Sequence, residues 1–456
     1  MKGHGQDSAN AVSAGIERMP FSLWHVRLLA LLGTANLFDA LDATAIAFVL
    51  PSLVDEWTLS ATQIGFLIAG GYAGQMVGAV LGGVLAERYG RIPTMRLNLY
   101  VMSLFSFACA FAPSYSILMV LRILQGIGLG GQVPIAATYL NEVCPPRFRG
   151  KMVNAIQLMF ATGALSASLL AVFLIPRFGW QSMFIVGGMP IVLALTLHRL
   201  LPESPRWLLE NRSREAARAA LTEIEKCVGV TSAEAEPAGV TSEIKLPATS
   251  VEASAGVRQL FGRSLLGPTL SAWIIAFCSS LVAYGLLGWM PSVYRTVYQL
   301  SLEASLNLGL ANGVGAFAGV AAGILLIDRL GRKKCLALGF LGASIAIIVL
   351  WLLGKGIEPF YVAVLSAIAI AFVGLPAAVL YVYAPEIYPT KVRALGTGVA
   401  SAWVRIAAII GPPVIGVALT IGTIMDVYLL LGSIAAFGAV ATVILAVETR
   451  PIRETD

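Results

Sequence analysis

Apolar residues in this chain come in blocks of roughly 20, the length a helix needs to cross the hydrocarbon core of a bilayer, and about twelve such blocks follow one another. Their coarse limits are 23–50, 61–86, 95–112, 116–141, 151–175 and 180–201, then 268–294, 304–327, 333–354, 360–384, 394–420 and 425–447. Of 456 residues, 57% are apolar and 12% charged. The mean hydropathy is +0.81. A soluble chain could not hide that much apolar surface beneath a polar shell. The first block begins near Leu23, after a start holding Lys2, Asp7, Glu17 and Arg18 that is too long and too polar to be a cleaved signal peptide.

A net charge of +6 invites a nucleic-acid reading, but the basic residues sit in alternate loops. That is the positive-inside pattern of a multi-pass protein, so no nucleic-acid partner is expected. One set of loops carries Arg88, Arg91, Arg147, Arg149, Lys151, Arg329, Arg332, Lys333, Lys334, Lys391 and Arg393. The opposite set carries Arg177, Arg295 and Lys355 among Asp55, Glu56, Glu303, Glu358 and Asp426. Both termini and the central loop are therefore expected to be cytoplasmic. Cys109, Cys144, Cys227, Cys278 and Cys335 show no CxxC or ligand spacing, which argues against disulfides and metal. His4, His25 and His198 have no metal-ligand partner at helical spacing, and the Asn211-Arg212-Ser213 sequon falls on the cytoplasmic side.

The chain repeats itself. Glu87-Arg88-Tyr89-Gly90-Arg91 after the second block returns as Asp328-Arg329-Leu330-Gly331-Arg332 after the eighth. Further along, Glu142 with Arg149 returns as Glu386 with Arg393, 55 residues after Glu87 and 58 after Asp328. Two signatures in one order at nearly one spacing mark the parallel repeat of a two-bundle transporter. The expected fold is an all-α membrane protein of twelve transmembrane helices in two six-helix bundles. These are 1–201 and 267–456, joined by a cytoplasmic linker, 202–266, with short surface helices. Within the linker, Ser213 to Cys227 is rich in Ala, Glu and Arg and reads as a helix, followed by an aperiodic stretch from Val228 to about Ala255.

These loops resemble the major facilitator superfamily over essentially the whole chain, although Glu87 stands where Asp is usual and Ile92 where a basic residue is common. Pro202-Glu203-Ser204-Pro205-Arg206-Trp207 and Ala384-Pro385-Glu386-Ile387-Tyr388-Pro389 resemble the sugar-porter branch; Glu448-Thr449-Arg450 matches only a fragment of its ending. Phe38-Asp39-Ala40-Leu41-Asp42 is similar to the paired-Asp motif of aromatic acid:proton symporters and bacterial niacin transporters, with Ala40 nearer the niacin form. Gly288-Trp289-Met290-Pro291 and Gly398, Arg405 and Gly411-Pro412 resemble the same relatives and animal organic-ion transporters. Gln132 departs from the niacin-type pattern, which often has Glu there.

Asp39 and Asp42 lie three apart and share a helix face. A carboxylate at the bilayer centre costs roughly 2.5–3.5 kcal/mol on insertion scales, so two on one face must meet water, a cation or a proton. That suits proton coupling; a permanently locked structural pair is the alternative. Arg122 must face a cavity or an anion, and pairs with Asp39 or Asp42, either as a switch or as a fixed bridge. The run Gly126-Ile127-Gly128-Leu129-Gly130-Gly131 lacks the strand of a nucleotide fingerprint and reads as close helix packing.

Arg405 has no acid nearby in sequence and is the candidate carboxylate ligand, since a guanidinium forks onto a carboxylate. The resemblance to organic-ion transporters associates a basic residue here with anions; a bridge to the first or second helix is the alternative. Tyr284, Trp289, Tyr381, Tyr383 and Trp403 are candidates for an aromatic wall, though such residues also serve as ordinary packing. Gln75, Gln125, Gln132, Gln157, Asn307 and Asn312 are candidate polar contacts. Glu87, Arg88, Arg91, Glu142 and Arg149, with Asp328, Arg329, Arg332, Glu386 and Arg393, are expected to form a gate whose ion pairs break when the chain opens inward.

The function implied is proton-coupled uptake of a small organic anion, an aromatic monocarboxylate of the nicotinate or hydroxybenzoate class, by alternating access. A sugar or polyol symporter and a drug exporter are the alternatives. The protein would work as a monomer in a bacterial inner membrane, needing no cofactor beyond the proton gradient. No nucleophile–His constellation suggests an enzyme.

Overall fold

The computed structural model describes residues 12–229, 259–262, 265–354, 356–389 and 392–449. Lys355, Lys391 and most of the stretch 228–255 lie outside the described residues. Among them there is no strand, and twelve long helices run back and forth. The first six are α1 (Leu23–Trp57), α2 (Ala61–Tyr89), α3 (Arg91–Cys109), α4 (Tyr115–Val143), α5 (Pro146–Phe178) and α6 (Gln181–Leu200). The second six are α7 (Leu266–Thr296), α8 (Leu302–Leu330), α9 (Arg332–Leu353), α10 (Pro359–Ile387), α11 (Arg393–Ile421) and α12 (Ile424–Leu445). Eleven of them are long and apolar enough to cross a membrane. The remaining helix, α3, is diluted by Arg91, Arg96, Asn98, Ser103 and Ser106.

Local chemistry sets the helix ends. Ser60 and Gln63 form a capping box on α2, Thr423 and Asp426 one on α12, and Pro359 starts α10 where no helical N–H is needed. Two helices are interrupted. α4 breaks at Gly131, and α6 breaks between Gly187 and Ile191, at Gly188-Met189-Pro190. Between the halves, Pro205–Asn211 and Arg214–Val228 form two short helices, the second capped by Ser213. A helix over 12–18 lies beside them, with Val12 and Ile16 buried in the same apolar cluster as Ile224.

The repeat is visible in the turns. Gly90 and Gly331 adopt φ values of 108° and 85°, which a side chain rarely tolerates. A carboxylate lies against each: Glu203 accepts from the backbone N–H of Arg91 and Ile92, both at 3.0 Å, and Glu448 from those of Arg332 and Lys333 at 2.8 and 3.1 Å. Each capping acid follows the last helix of its own half and satisfies the first turn of that half's third helix.

The apolar core divides the molecule. One cluster, including Phe48, Leu67, Phe184, Trp289 and Tyr294, joins both halves near the face that carries the acidic loops. Two separate clusters, one in each half, fill the ends near the Arg-rich face, called the basic face below. The halves therefore touch at one end and part at the other. At the closed end, Gly65 packs on Pro412, Gly416 on Ala61, and Arg295 bonds Asp55 at 2.9 Å.

Candidate substrate and proton site

A cleft of about 960 Å³ opens between the halves on the basic face, bordered by Arg147, Lys151, Asp328, Glu386 and Arg393. It narrows at Leu380, Tyr381 and Val404, which also line a chamber of about 150 Å³ with Gln157, Phe160, Ser280 and Tyr284. Phe160, Ala283, Tyr284, Val320 and Ala377 in turn border a deeper chamber of about 140 Å³. Its wall is Thr44, Ile46, Ile68, Tyr72, Leu287 and Val373, apolar but for three hydroxyls. Tyr72 and Tyr284 meet there across the halves with ring centroids 4.9 Å apart.

The charges stand behind the chamber walls, where Arg122, Arg405 and Asp39 act on the lining residues Tyr72 and Tyr284. Asp42 is fully buried; its Oδ1 accepts from Gln125 Nε2 at 2.7 Å and Ser106 Oγ at 3.0 Å, and its Oδ2 lies 3.4 Å from Arg122 Nη1. Arg122 Nη1 donates more tightly to Gln125 Oε1, at 2.7 Å. Asp39, one turn away and also buried, forms no ion pair among the described residues, and the cation acting on it is Arg405 of the other half. Arg405 Nη2 donates to the Gly130 carbonyl at 3.1 Å. Tyr284, which borders both chambers, has Arg405 and Asp39 as its charged neighbours.

Residues 32–453 match the family described as sugar (and other) transporter. This chain belongs to that family, within the major facilitator superfamily. It is 34% identical to the niacin transporter NiaP of Acinetobacter baylyi, over 88% of each chain. It is 32% identical to the gallate transporter of Pseudomonas putida, over 98% of this chain and 97% of that one. In fold it is similar to the xylose transporter XylE of E. coli in a partially occluded inward-open conformation, with a TM-score of 0.73 at 21% identity, over 95% of this chain and all of that one. The protein is thus a multi-pass membrane transporter and not an enzyme.

Within this transporter the residues singled out from sequence separate into groups. Arg122 takes Asp42, whereas the cation acting on Asp39 is Arg405 of the other half. Tyr284, Tyr381 and Gln157 border the chambers. Three expected members of the aromatic wall lie elsewhere. Trp289 is packed in the shared core, Tyr383 bonds Ser271 and accepts from the Val447 N–H, and Trp403 packs tilted on Trp273 and edge-on to Phe277. Asn312 is buried in α8, accepting from Ser366. Gln132 is buried at the α4 break with neither amide atom partnered. Tyr72, Phe160 and Thr44, not anticipated, line the deeper chamber; a Gly-Gly-Tyr step at Gly70–Tyr72 was the one available hint.

The residues expected to form the gate pair within each half. Arg91 grips Glu142 at 2.7 Å and Arg332 grips Glu386 at 2.8 Å, with Asp328 also 3.4 Å from Arg332. Both bridges lie within one half and are intact while the cleft is open, so they brace each half and do not lock one to the other. Arg149 and Arg393 donate Nε to the carbonyls of Cys144 and Tyr388, again in matching positions. Glu87 and Arg88 are exposed, with Arg88 over the Tyr89 ring. Arg329 also interacts with its surroundings.

Proposed function

We propose that the chain couples proton entry to uptake of a small aromatic monocarboxylate, of the nicotinate or hydroxybenzoate class, by alternating access. The observation that carries this is a half-buried arginine bonded to a backbone carbonyl, whose charge reaches Tyr284 on the wall of a ring-sized apolar chamber. Arg405 is held by a neutral carbonyl and meets Asp39 only beyond ion-pair distance, so it can still take up an anion. An apolar cavity of about 150 Å³ holds a benzene-sized ring, and the deeper chamber is about 140 Å³. The names of the niacin and gallate relatives support the same class. A sugar would find only Thr44, Tyr72 and Tyr284 for its hydroxyls there.

Asp42 and Arg122, with Gln125 between them, serve as the proton-sensitive element, and Asp39 faces the substrate's arginine. The proton gradient is the energy source, with no cofactor. By the positive-inside rule the basic face is cytoplasmic in a bacterial inner membrane, with both termini on that side and a monomer as the working unit. The open cleft then corresponds to the inward-open state, and rocking of the halves about the chambers exposes them outward.

Equilibrium binding to the purified protein tests the substrate class. Nicotinate and 4-hydroxybenzoate should bind, and uncharged nicotinamide and xylose about tenfold or more weakly, the scale of a lost charged hydrogen-bond pair. Arg405→Ala should abolish the preference for the carboxylate. Xylose binding that ignores the acids would sink the reading.

A further inference from the structure

The break in α4 has a chemical cause with a consequence for Arg405. Pro134 has no N–H, so the Gly130 carbonyl four residues earlier loses its helical donor. α4 is interrupted there, between its segments Tyr115–Gly130 and Gln132–Val143. The freed oxygen accepts Arg405 Nη2 from α11 of the other half, at 3.1 Å. Arg405 Nε is buried and has no acceptor. Both amide atoms of Gln132, two residues beyond Gly130 and 1% exposed, are likewise unpartnered. Buried donors of this kind are costly unless some state of the molecule supplies their partner.

We infer that Pro134 is a positioning residue for anion capture: by freeing the Gly130 carbonyl it anchors one corner of the Arg405 guanidinium and leaves the buried Nε unpaired, as the donor kept for a carboxylate. The inference rests on Arg405 being the substrate's anchor, as proposed above. A carbonyl suits the task better than an acid. It orders a long side chain in advance, so binding does not have to, yet it leaves the positive charge uncancelled. An aspartate in its place would compete with the substrate. Asp39, the nearby acid, acts on Arg405 through its charge but forms no ion pair with it.

Pro134→Ala supplies the missing N–H and returns the carbonyl to the helix. Binding of nicotinate and of nicotinamide to the purified full-length protein is then compared, because a merely structural disturbance would weaken both. The expected result is a nicotinate Kd raised about tenfold, the scale of one hydrogen bond to a charged group, with the nicotinamide Kd unchanged. Arg405→Lys provides an independent check, since a point charge cannot hold carbonyl and carboxylate together in fork geometry. It should cost nicotinate affinity in the parent protein and much less in the Pro134→Ala background. An unchanged nicotinate Kd in Pro134→Ala, equal losses for both ligands, or additive effects of the two substitutions would overturn the inference while leaving the substrate class standing. Full nicotinate preference in Arg405→Ala would instead remove the anchor itself, and the inference with it.

Discussion

Asp42 and Arg122 stand 3.4 Å apart, yet the shortest contact of each is with Gln125, at 2.7 Å on both sides. A relaxed guanidinium–carboxylate bond is about 2.7–2.9 Å, so this buried pair is stretched over an amide that senses both charges. The second half has no counterpart. Ser366 precedes Glu386 by the interval at which Arg122 precedes Glu142, and there it links Tyr294 and Asn312 in a neutral network. The repeat duplicates the loops and caps, but the buried ion pair belongs to the first half.

Asp42→Asn keeps the shape and most hydrogen bonds while removing the titrating group. Gradient-driven accumulation in proteoliposomes should be lost, with exchange of preloaded substrate retained. Accumulation at the parent level would remove Asp42 as the proton-coupling residue.

Tyr284 borders both chambers, whereas Trp403 packs on Trp273 and lines neither. Tyr284→Ala should therefore weaken binding of single-ring acids by about an order of magnitude, as expected of a contacting aromatic. Trp403→Ala should lower thermal stability and leave the Kd unchanged. The reverse pattern would show that the ring sits elsewhere.

Glu203 and Glu448 cap α3 and α9, so Glu203→Ala and Glu448→Ala should each cost about 1–2 kcal/mol, read as a lower unfolding temperature in detergent. Burial raises the Glu203 carboxyl above its ordinary pKa, although its three backbone N–H donors pull the other way. The folded protein then binds that proton at a higher pH than the unfolded chain does. The group's contribution to stability is accordingly full below the unfolded pKa and falls as pH rises through the folded one. Glu203→Gln should flatten this slope; an unchanged slope would show that another group sets it.

At the closed end a Cβ on Gly65 would lie 2.5 Å from the Pro412 carbonyl oxygen and 2.9 Å from Pro413 Cα. Gly65→Leu should hold that end apart. Transport should cease, and a cysteine at position 420, where Thr420 bonds Thr62, should become reactive toward an impermeant maleimide added from that side. Normal transport would mean that this contact is not part of the closure.

The helices were legible because bilayer thickness and the apolar blocks set one length scale. The paired acids, Arg122 and Arg405 were legible because charge in hydrocarbon is costly. Finer placement was not. Asp39 and Asp42 share a face, so only the packed bundle shows that Arg122, Gln125 and Ser106 all converge on Asp42. Trp289, Tyr383 and Trp403 were misplaced, and Tyr72 and Phe160 overlooked, for one reason: lipid, core and chamber walls are all apolar here, so periodicity does not say which face a helix turns inward. The start of α3 at Arg91 depends on Glu203, more than a hundred residues away in the chain. Matching signs on one face also do not reveal that Arg91 pairs with Glu142 and Arg332 with Glu386, each within its own half.

Uptake of labelled nicotinate and 4-hydroxybenzoate into proteoliposomes, under an imposed inward proton gradient and with xylose in parallel, tests proton-driven aromatic acid import most directly. The proposed mechanism predicts that the acids accumulate, that a protonophore collapses the accumulation, and that xylose stays at background. Xylose accumulation without the acids, or acid uptake indifferent to the gradient, would contradict it.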